Sequence, residues 1–295
     1  KMLLELAQGI ACFFGNLGLA QGIACCFGNL KLAVVKLLGI AMALLLVVPV
    51  VGAAPPAINQ LPSGSRVVGG QASVAQAAGV MTINQSSHRA AVTWDSFNVG
   101  SAATVNIQQP SASSVILNQV LDANPSQIFG RINANGQVFL ANPNGMYFSP
   151  TASVNVGGLV ATTNSINADQ FMAGLNTFSN NHAKGSVIND GNLRAALGGY
   201  IALLAPTVRN NGVIIAQMGT IALAAGDAYE LEFSGNRLTN VRVTPSTVAA
   251  LVENGHAIYA PGGLIILSAQ AAHQIQSGVI GNTGVIDATG VTSVG

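Results

Sequence analysis

The sequence is poor in charged residues. Only 7% of its 295 residues are charged, with a formal net charge of +1, against ~25% charged residues in an average soluble protein. A nucleic-acid-binding protein needs a basic face that neutralises phosphates. A charge-rich disordered tail has few apolar residues, whereas 50% of this chain is hydrophobic. The composition therefore excludes both classes, and no nucleic-acid partner is expected.

Cysteine is nearly absent as well. Cys12, Cys25 and Cys26 all lie at the start of the chain, so the remainder can form neither a disulfide framework nor a thiolate metal site. Two interpretations remain open: chance, or a chain that is threaded unfolded through a pore and cannot carry cross-linked loops.

Long hydrophobic runs are missing beyond Ala54, although the mean hydropathy is +0.50. A membrane-spanning helix needs ~20 consecutive apolar residues, so the hydropathy indicates buried β-structure. Before that point, Lys36 precedes the apolar stretch Leu37–Ala54, which ends in small residues. This pattern predicts a signal peptide cleaved after Ala53, with residues 1–53 as an extended leader. A membrane anchor is the alternative interpretation.

Beyond Ala54, short β-branched runs alternate with Asn-Gly, Gly-Gly and Asp-Gly pairs, which predicts many short strands and tight turns. Leucine-rich repeats need a fixed Leu-Asn pattern that is absent. A period of about 20 residues is instead typical of one coil of a parallel β-helix. We therefore predict an all-β chain, with a β-helix domain over 54–295 and coils over about 106–295. Three pairs of glycines are separated by one such period: Gly191 and Gly212, Gly199 and Gly219, and Gly263 and Gly284.

Three segments depart from the repeat. Asn167–Gly174 predicts a short helix, because Asn167 can cap its start and Gly174 can end it. Asp227–Val243 predicts an antiparallel hairpin outside the β-helix. Residues of about 58–105 are less repetitive and predict an N-terminal β cap over the first coil, since an open strand edge must be covered.

Several motifs follow one another in a fixed order: Ser96–Gly100, Val115–Val120, Asn124–Ile132, Asn135–Leu140, Asn142–Gly145 and Val156–Thr163. From about Leu61 to Gly295 the chain resembles the haemagglutination-activity, or two-partner-secretion, domain of filamentous haemagglutinins and high-molecular-weight adhesins. The positions that carry the family motif are Asn118, Asn124, Pro125, Ser126, Gln127, Gly130, Asn135 and Gly136.

The resemblance implies a right-handed parallel β-helix with an N-terminal cap. It also implies recognition in the periplasm by an Omp85-type outer-membrane transporter through its POTRA domains, and export to the cell surface or medium. Because Lys1 is not an initiator and Gly295 ends within the pattern, we expect the N-terminal secretion domain of a large exoprotein. We further expect that protein to be an adhesin, which contacts a host surface or glycan through its C-terminal part. No cofactor is expected.

The segment Asn142-Pro143-Asn144-Gly145 is the candidate site. Proline presets φ at the second position of a turn, asparagine tolerates the third, and glycine accepts a positive φ at the fourth. Two roles stay open from the sequence: a corner needed only for folding, or direct contact with the transporter.

The main rival is a secreted β-helix that binds or degrades polysaccharide. Degradation needs paired carboxylates in one groove, and only Glu230 and Glu232 are close in sequence on one strand face, where Arg242 is expected to pair with them. His88, His182, His256 and His273 lack metal-ligand spacing, so we predict no enzyme. Binding by stacking would fall to Trp94 and Tyr147, which are expected instead to pack in the core or cap.

Overall fold

The computed structural model describes residues 54–179, 185–246, 250–271 and 278–290. The predicted leader, signal peptide and three cysteines lie outside the described residues, as do His182 and His273.

The described chain is mostly β-strand. The strands, in chain order, are β1 (Arg66–Gly69), β2 (Ala72–Ala77), β3 (Val80–Gln85), β4 (Arg89–Trp94), β5 (Thr104–Gln108), β6 (Val115–Val120), β7 (Ser126–Ile128), β8 (Arg131–Ala134), β9 (Gln137–Ala141), β10 (Met146–Phe148), β11 (Ser153–Thr162), β12 (Thr177–Phe178), β13 (Ser186–Asn189), β14 (Asn192–Leu204), β15 (Thr207–Asn210), β16 (Val213–Ile215), β17 (Thr220–Ala225), β18 (Ala228–Ser234), β19 (Arg237–Thr244), β20 (Leu251–Asn254), β21 (Ala257–Tyr259), β22 (Leu264–Ala269), β23 (Val279–Asn282) and β24 (Val285–Asp287). One short helix, α1 (Ala168–Met172), lies between β11 and β12.

Most strands pair in parallel, and they form three faces. Face 1 contains β3, β5, β8, the first half of β11 and of β14, β16, β21 and β24. Face 2 contains β4, β6, β9, the second halves of β11 and β14, β17 and β22. Face 3 contains β7, β10, β13, β15, β20 and β23. Antiparallel pairing joins β1 to β4 and β2 to β3 at the N-terminal end.

The registers test the spacing that the sequence predicts. Asn192 pairs with Val213 and Tyr200 pairs with Thr220, which confirms the first two glycine pairs as equivalent corners. The prediction that the third pair, Gly263 and Gly284, also marks equivalent corners was wrong. Leu264, after Gly263, pairs with Thr220 on face 2, whereas Val285, after Gly284, pairs with Ala257 on face 1. The separation of these two glycines is a coincidence, because inserted segments lengthen this part of the chain.

Two hydrophobic cores explain the apolar composition. Alternate side chains from all three faces, such as Val105, Ile116 and Ile128, meet in a shared interior core. A second core lies on the outer side of face 2, where Phe171 of α1 and Tyr229 of β18 cover the strands. Face 2 is therefore buried on both sides, and all six residues of β17 are buried. Strands of this kind form continuous apolar runs rather than alternating ones.

Two of the three predicted departures from the repeat, the short helix and the hairpin, are confirmed. The side chain of Asn167 accepts hydrogen bonds from the backbone N–H groups of Asp169 and Gln170, which caps α1, and Gly174 follows with a φ of +89°. Strands β18 and β19 pair antiparallel, with Glu230 opposite Arg242. Both elements contribute the apolar side chains of the outer core, so they shield face 2 from water.

A ladder of asparagine side chains lies at the end of the face 3 strands. Asn189 Nδ2 donates to Asn210 Oδ1 at 2.7 Å, Asn210 Nδ2 to Asn254 Oδ1 at 2.8 Å, and Asn254 Nδ2 to Asn282 Oδ1 at 2.8 Å. The first three are buried, and Asn282 is exposed. Because each amide is both donor and acceptor, the ladder satisfies buried polar groups from one strand to the next.

Candidate functional site

The segment Asn142–Gly145 forms a tight turn between β9 and β10. The Gly145 backbone N–H donates to Asn142 O at 3.0 Å, and the Asn144 N–H donates to the Asn142 side-chain Oδ1 at 2.9 Å. Gly145 has a φ of +111°, a conformation that favours glycine. A Cβ at this position would also lie 2.9 Å from Ser186 O. The predicted turn therefore forms, and its last position requires glycine for two reasons.

The turn is bonded to the loop that precedes β7. Asn142 Nδ2 donates to Asn124 O at 3.1 Å and to Ser126 Oγ at 2.9 Å. Asn144 Nδ2 donates to Asp122 O at 2.7 Å, while the Ser126 N–H donates back to Gly145 O at 3.0 Å. Four predicted site residues, Asn124, Ser126, Asn142 and Asn144, are thus brought together. Asp122 was missed, because nothing in its local sequence marks it as a partner of a turn that follows only after β7, β8 and β9.

Burial divides this cluster into two sets. Asn142 is 0% exposed and Ser126 is 1% exposed, so neither side chain is available to a partner protein. Asn124, Pro125 and Asn144 are exposed. Next to them Leu121 is 58% exposed, which adds an apolar side chain to this surface. We call Leu121, Asn124, Pro125 and Asn144 the corner patch.

The other motif residues make hydrogen bonds that hold the fold. Asn118 is buried in face 2, where its Oδ1 accepts from Trp94 Nε1 at 3.0 Å. Asn135 Nδ2 donates to Gln109 O at 2.8 Å, and the Gly136 N–H donates to Gln109 Oε1 at 3.0 Å. The Gln127 N–H donates to Asn98 Oδ1 at 2.8 Å.

The buried Gln109 was also missed by the sequence analysis. Its Nε2 donates to Gln85 Oε1 at 3.0 Å and to Ser114 O at 3.0 Å, so it links three successive corners. Only the asparagines and glycines around it carried a recognisable motif.

The comparison with known proteins identifies the family. The sequence matches the family model described as TPS secretion domain over residues 58–295. This chain belongs to the TPS secretion domain family.

Relatives and solved structures agree with this assignment. The TPS domain is 33% identical over 240 residues to a Heme/hemopexin-binding protein of Haemophilus influenzae, covering 79% of this chain and 26% of that protein. It is 29% identical over 160 residues to the Filamentous hemagglutinin of Bordetella pertussis, covering 52% of this chain and 4% of that protein. The crystal structure of the HMW1 secretion domain from Haemophilus influenzae superposes with a TM-score of 0.65 at 28% identity, covering 78% of this chain and 67% of that one.

Membership of this family establishes the general role of the chain. It is the TPS secretion domain of a two-partner-secretion exoprotein, which is secreted to the cell surface or medium through the periplasm, and an outer-membrane transporter is its partner. It is not an enzyme. The chain spans about a quarter of the length of the first Heme/hemopexin-binding protein and 12% of a second.

The two carboxylates considered for catalysis, Glu230 and Glu232, both lie on β18. Glu232 forms an ion pair with Arg242 on the exposed side of the hairpin, and hydrogen bonds from Asn240 and Arg242 hold the pKa of its carboxyl below the usual range. Within the described ranges, no group of three or more His, Cys, Asp or Glu side chains is placed to hold a metal ion. Over the same ranges, no helix is long and apolar enough to cross a membrane.

The two candidate sugar-stacking aromatics make contacts within the protein. Trp94 is 0% exposed and lies edge-on to Phe97, with ring centroids 5.3 Å apart. This confirms core packing for Trp94. Tyr147 is half-buried, edge-on to Phe129 at 5.9 Å, and donates its hydroxyl to Asp190 Oδ2 at 2.8 Å. Partial burial and then the bond to Asp190 raise the pKa of Tyr147 to about 12.

This raised pKa predicts a loss of stability in base. In the unfolded chain a tyrosine loses its proton near pH 10, whereas folded Tyr147 keeps it to about pH 12. Its neutral form therefore stabilises the fold fully below pH 10, and that contribution is lost as the pH rises through 12. Burial also raises the pKa of Tyr200 and Tyr229.

We expect the free energy of unfolding to fall between pH 10 and 12, and to fall less steeply in Tyr147→Phe. Urea unfolding at each pH measures the free energy of unfolding of the two proteins, and the phenolate absorbance is recorded in parallel. The difference in phenolate absorbance between the two proteins gives the ionisation of Tyr147. If this ionisation is complete by pH 10.5, the prediction is wrong.

Proposed function

We propose that this chain is the N-terminal secretion domain of a large exoprotein, which an Omp85-type outer-membrane transporter engages in the periplasm through its POTRA domains. The observation that carries the proposal is the corner patch. Its four exposed residues lie on the turn and on the loop before β7, and the side chains that join the two, Asn142 and Ser126, are buried. Such an arrangement gives a partner a fixed surface, because the bonds beneath it hold both loops in place.

The two roles left open for the turn are assigned to different residues. Asn142, Gly145 and Ser126 shape the corner, since their polar groups are bonded within the fold. The corner patch makes the contact. It offers amide donors and acceptors from Asn124 and Asn144 beside the apolar Leu121 and Pro125, a combination that suits a neutral peptide segment rather than a charged one.

We also propose that the three faces wind as a right-handed parallel β-helix. Parallel pairing between strands one repeat apart supports this arrangement. In the same proposal, residues 1–53 are the leader and signal peptide, residues of about 58–105 the N-terminal cap, and residues of about 106–295 the coils. Antiparallel β1 and β2 support a cap at this end, because they cover strand edges that would otherwise be open.

In the longer protein, we propose that further strands stack on β23 and β24. Ile280 and Ile286 are in register with Val252 and Ile258, which are both 0% exposed. Ile280 and Ile286 are themselves 48% and 37% exposed, and further strands in the same register would bury this apolar surface. Adhesion to a host surface or glycan belongs, in this proposal, to the additional length that the relatives have.

Secretion with a cognate transporter tests the corner patch. Leu121→Asp combined with Asn144→Asp places two charges on the patch at exposed positions, at the cost of the single bond from Asn144 Nδ2 to Asp122 O. We expect at least a tenfold loss of protein in the medium. The matched control is Leu197→Asp, since Leu197 is 72% exposed at a different corner. It should be secreted like the unmodified chain.

The thermal unfolding midpoint of each purified variant separates recognition from folding. Normal secretion of the double variant would refute the corner patch as the contact. Secretion that does not depend on the transporter would refute the proposed function itself.

A further inference from the structure

The outer side of face 1 carries an in-register row of polar side chains. Asn106 of β5 pairs with Asn133 of β8, Asn133 with Asn155 of β11, and Asn155 with Arg194 of β14. Their strand neighbours, among them Val105, point into the interior core. The four polar residues therefore project to the same outer side, one strand spacing apart. At ~4.8 Å per strand the row extends about 14 Å.

This row lines a shallow groove. One section of about 500 Å³ is bordered by Asn106, Gln108, Asn133 and Asn155, and an adjoining section of about 250 Å³ continues from Asn155 to Arg194. The two sections share Ala134, Asn135 and Asn155, so they adjoin one another across the strands. Adjoining shallow depressions along one row of side chains suit an extended polymer better than a small compact molecule.

The amides in the groove keep unused hydrogen-bonding capacity. Asn133 Nδ2 donates to Asn106 Oδ1 at 3.0 Å, and Asn155 Nδ2 donates to Ser153 Oγ at 3.3 Å. An asparagine side chain has two N–H donors and an oxygen with two lone pairs. These bonds therefore leave both donors and acceptors for a ligand, which is the combination that sugar hydroxyls match.

The four strands that border the groove, β5, β8, β11 and β14, carry two arginines and no carboxylate. Ion pairs within the described ranges join Arg66 to Asp95, Arg209 to Glu253 and Arg242 to Glu232. Arg194 in the groove and Arg131, which precedes Asn133 on the same strand face, belong to none of them, and both are exposed. The residues that line the groove include no carboxylate. An anionic group on a ligand in the groove would therefore meet the guanidinium group of Arg194, while Arg131 lies outside the groove on the same side of the sheet.

We propose that this groove binds an acidic polysaccharide, with Asn106, Asn133 and Asn155 bonding sugar hydroxyls and Arg194 pairing with a carboxylate or sulfate. The same chemistry serves a uronate or a sulfated chain. The site is distinct from the corner patch, and it makes the secretion domain itself a glycan-binding surface. Neither Trp94 nor Tyr147 takes part.

Binding of the purified full chain to polygalacturonate, measured by calorimetry, tests the proposal. Dextran sulfate distinguishes sulfated from carboxylated chains, neutral dextran tests the need for charge, and polyglutamate and single-stranded DNA test for simple attraction to any polyanion. We expect binding to at least one of the two acidic polysaccharides and at least tenfold weaker binding to dextran, polyglutamate and DNA.

Two variants locate the site. Asn133→Ala combined with Asn155→Ala should weaken binding at least tenfold, and Arg194→Gln should weaken it about tenfold. The charge-matched control Arg209→Gln, on face 3, should change it less than twofold. Unfolding midpoints within about 2 °C of the unmodified chain exclude misfolding. If a groove variant falls outside that range, the single variant Asn155→Gln is measured in its place. Equal binding of polyglutamate, unchanged binding in the groove variants, or binding to neither acidic polysaccharide overturns the proposal.

Discussion

Replacing Asn210 with alanine is expected to lower the free energy of unfolding by about 2–5 kcal/mol. The change removes the acceptor for Asn189 Nδ2 and the donor for Asn254 Oδ1. Both neighbours are 0–1% exposed, so water does not replace the lost bonds. Asn189 Nδ2 keeps only a long bond of 3.4 Å to Gly191 O, and Asn254 Oδ1 loses its donor. Each buried polar group that loses its partner in this way costs about 1–3 kcal/mol.

The ladder contains its own control. Asn282→Ala removes the same chemical group from the exposed end of the ladder. Because the Asn282 side chain is what separates Asn254 Nδ2 from solvent, its removal admits water to this donor, and we expect a loss below about 1 kcal/mol. Urea unfolding followed by the fluorescence of Trp94, the one tryptophan of the chain and a buried one, measures both variants. Equal losses in the two proteins would show that the ladder adds nothing beyond local contacts.

The second large effect is expected at Gly130, one of the family motif positions. A Cβ there would lie 2.2 Å from both Ala103 O and Gly100 O. These atoms belong to the backbone and cannot rotate away, so Gly130→Ala must displace the chain at a corner that is bonded to Val99. Overpacking of this kind costs about 3 kcal/mol, which would lower the unfolding midpoint by roughly 6–12 °C in a domain of this size.

Gly281→Ala is the matched control. Its Cβ would make only an ordinary contact, 3.8 Å from Glu253 Cγ, and its φ is not positive. We expect a change within about 0.5 kcal/mol. If Gly130→Ala unfolds like the unmodified chain yet is not secreted, the motif glycine serves the transporter rather than the fold, and the packing explanation fails.

Local elements were predictable from the sequence because their causes are local. The cap of α1 needs only Asn167 and the two N–H groups that follow it, and the Asn142–Gly145 turn needs only its own four residues. The alternation of strands β5 and β16 and the hairpin of β18 and β19 are likewise set by neighbouring residues. Motif order over the whole chain was sufficient to predict the family.

Register was less predictable. Gly263 and Gly284 have the expected separation but follow different faces, since a spacing counts residues and does not record where insertions fall. Similarly, the continuous apolar runs of face 2 predicted burial without indicating what covers the outer side.

The sequence by itself determined an all-β secretion domain with a polar, weakly charged surface, because alternation, turn residues and low charge act on each short segment independently. Only the tertiary structure decided which corner residues are buried anchors and which are exposed, which loop bonds the Asn142 turn, and that three asparagines and an arginine share one groove. These features depend on contacts between residues at least one coil apart in the chain, which exist only once parallel strands have fixed their register.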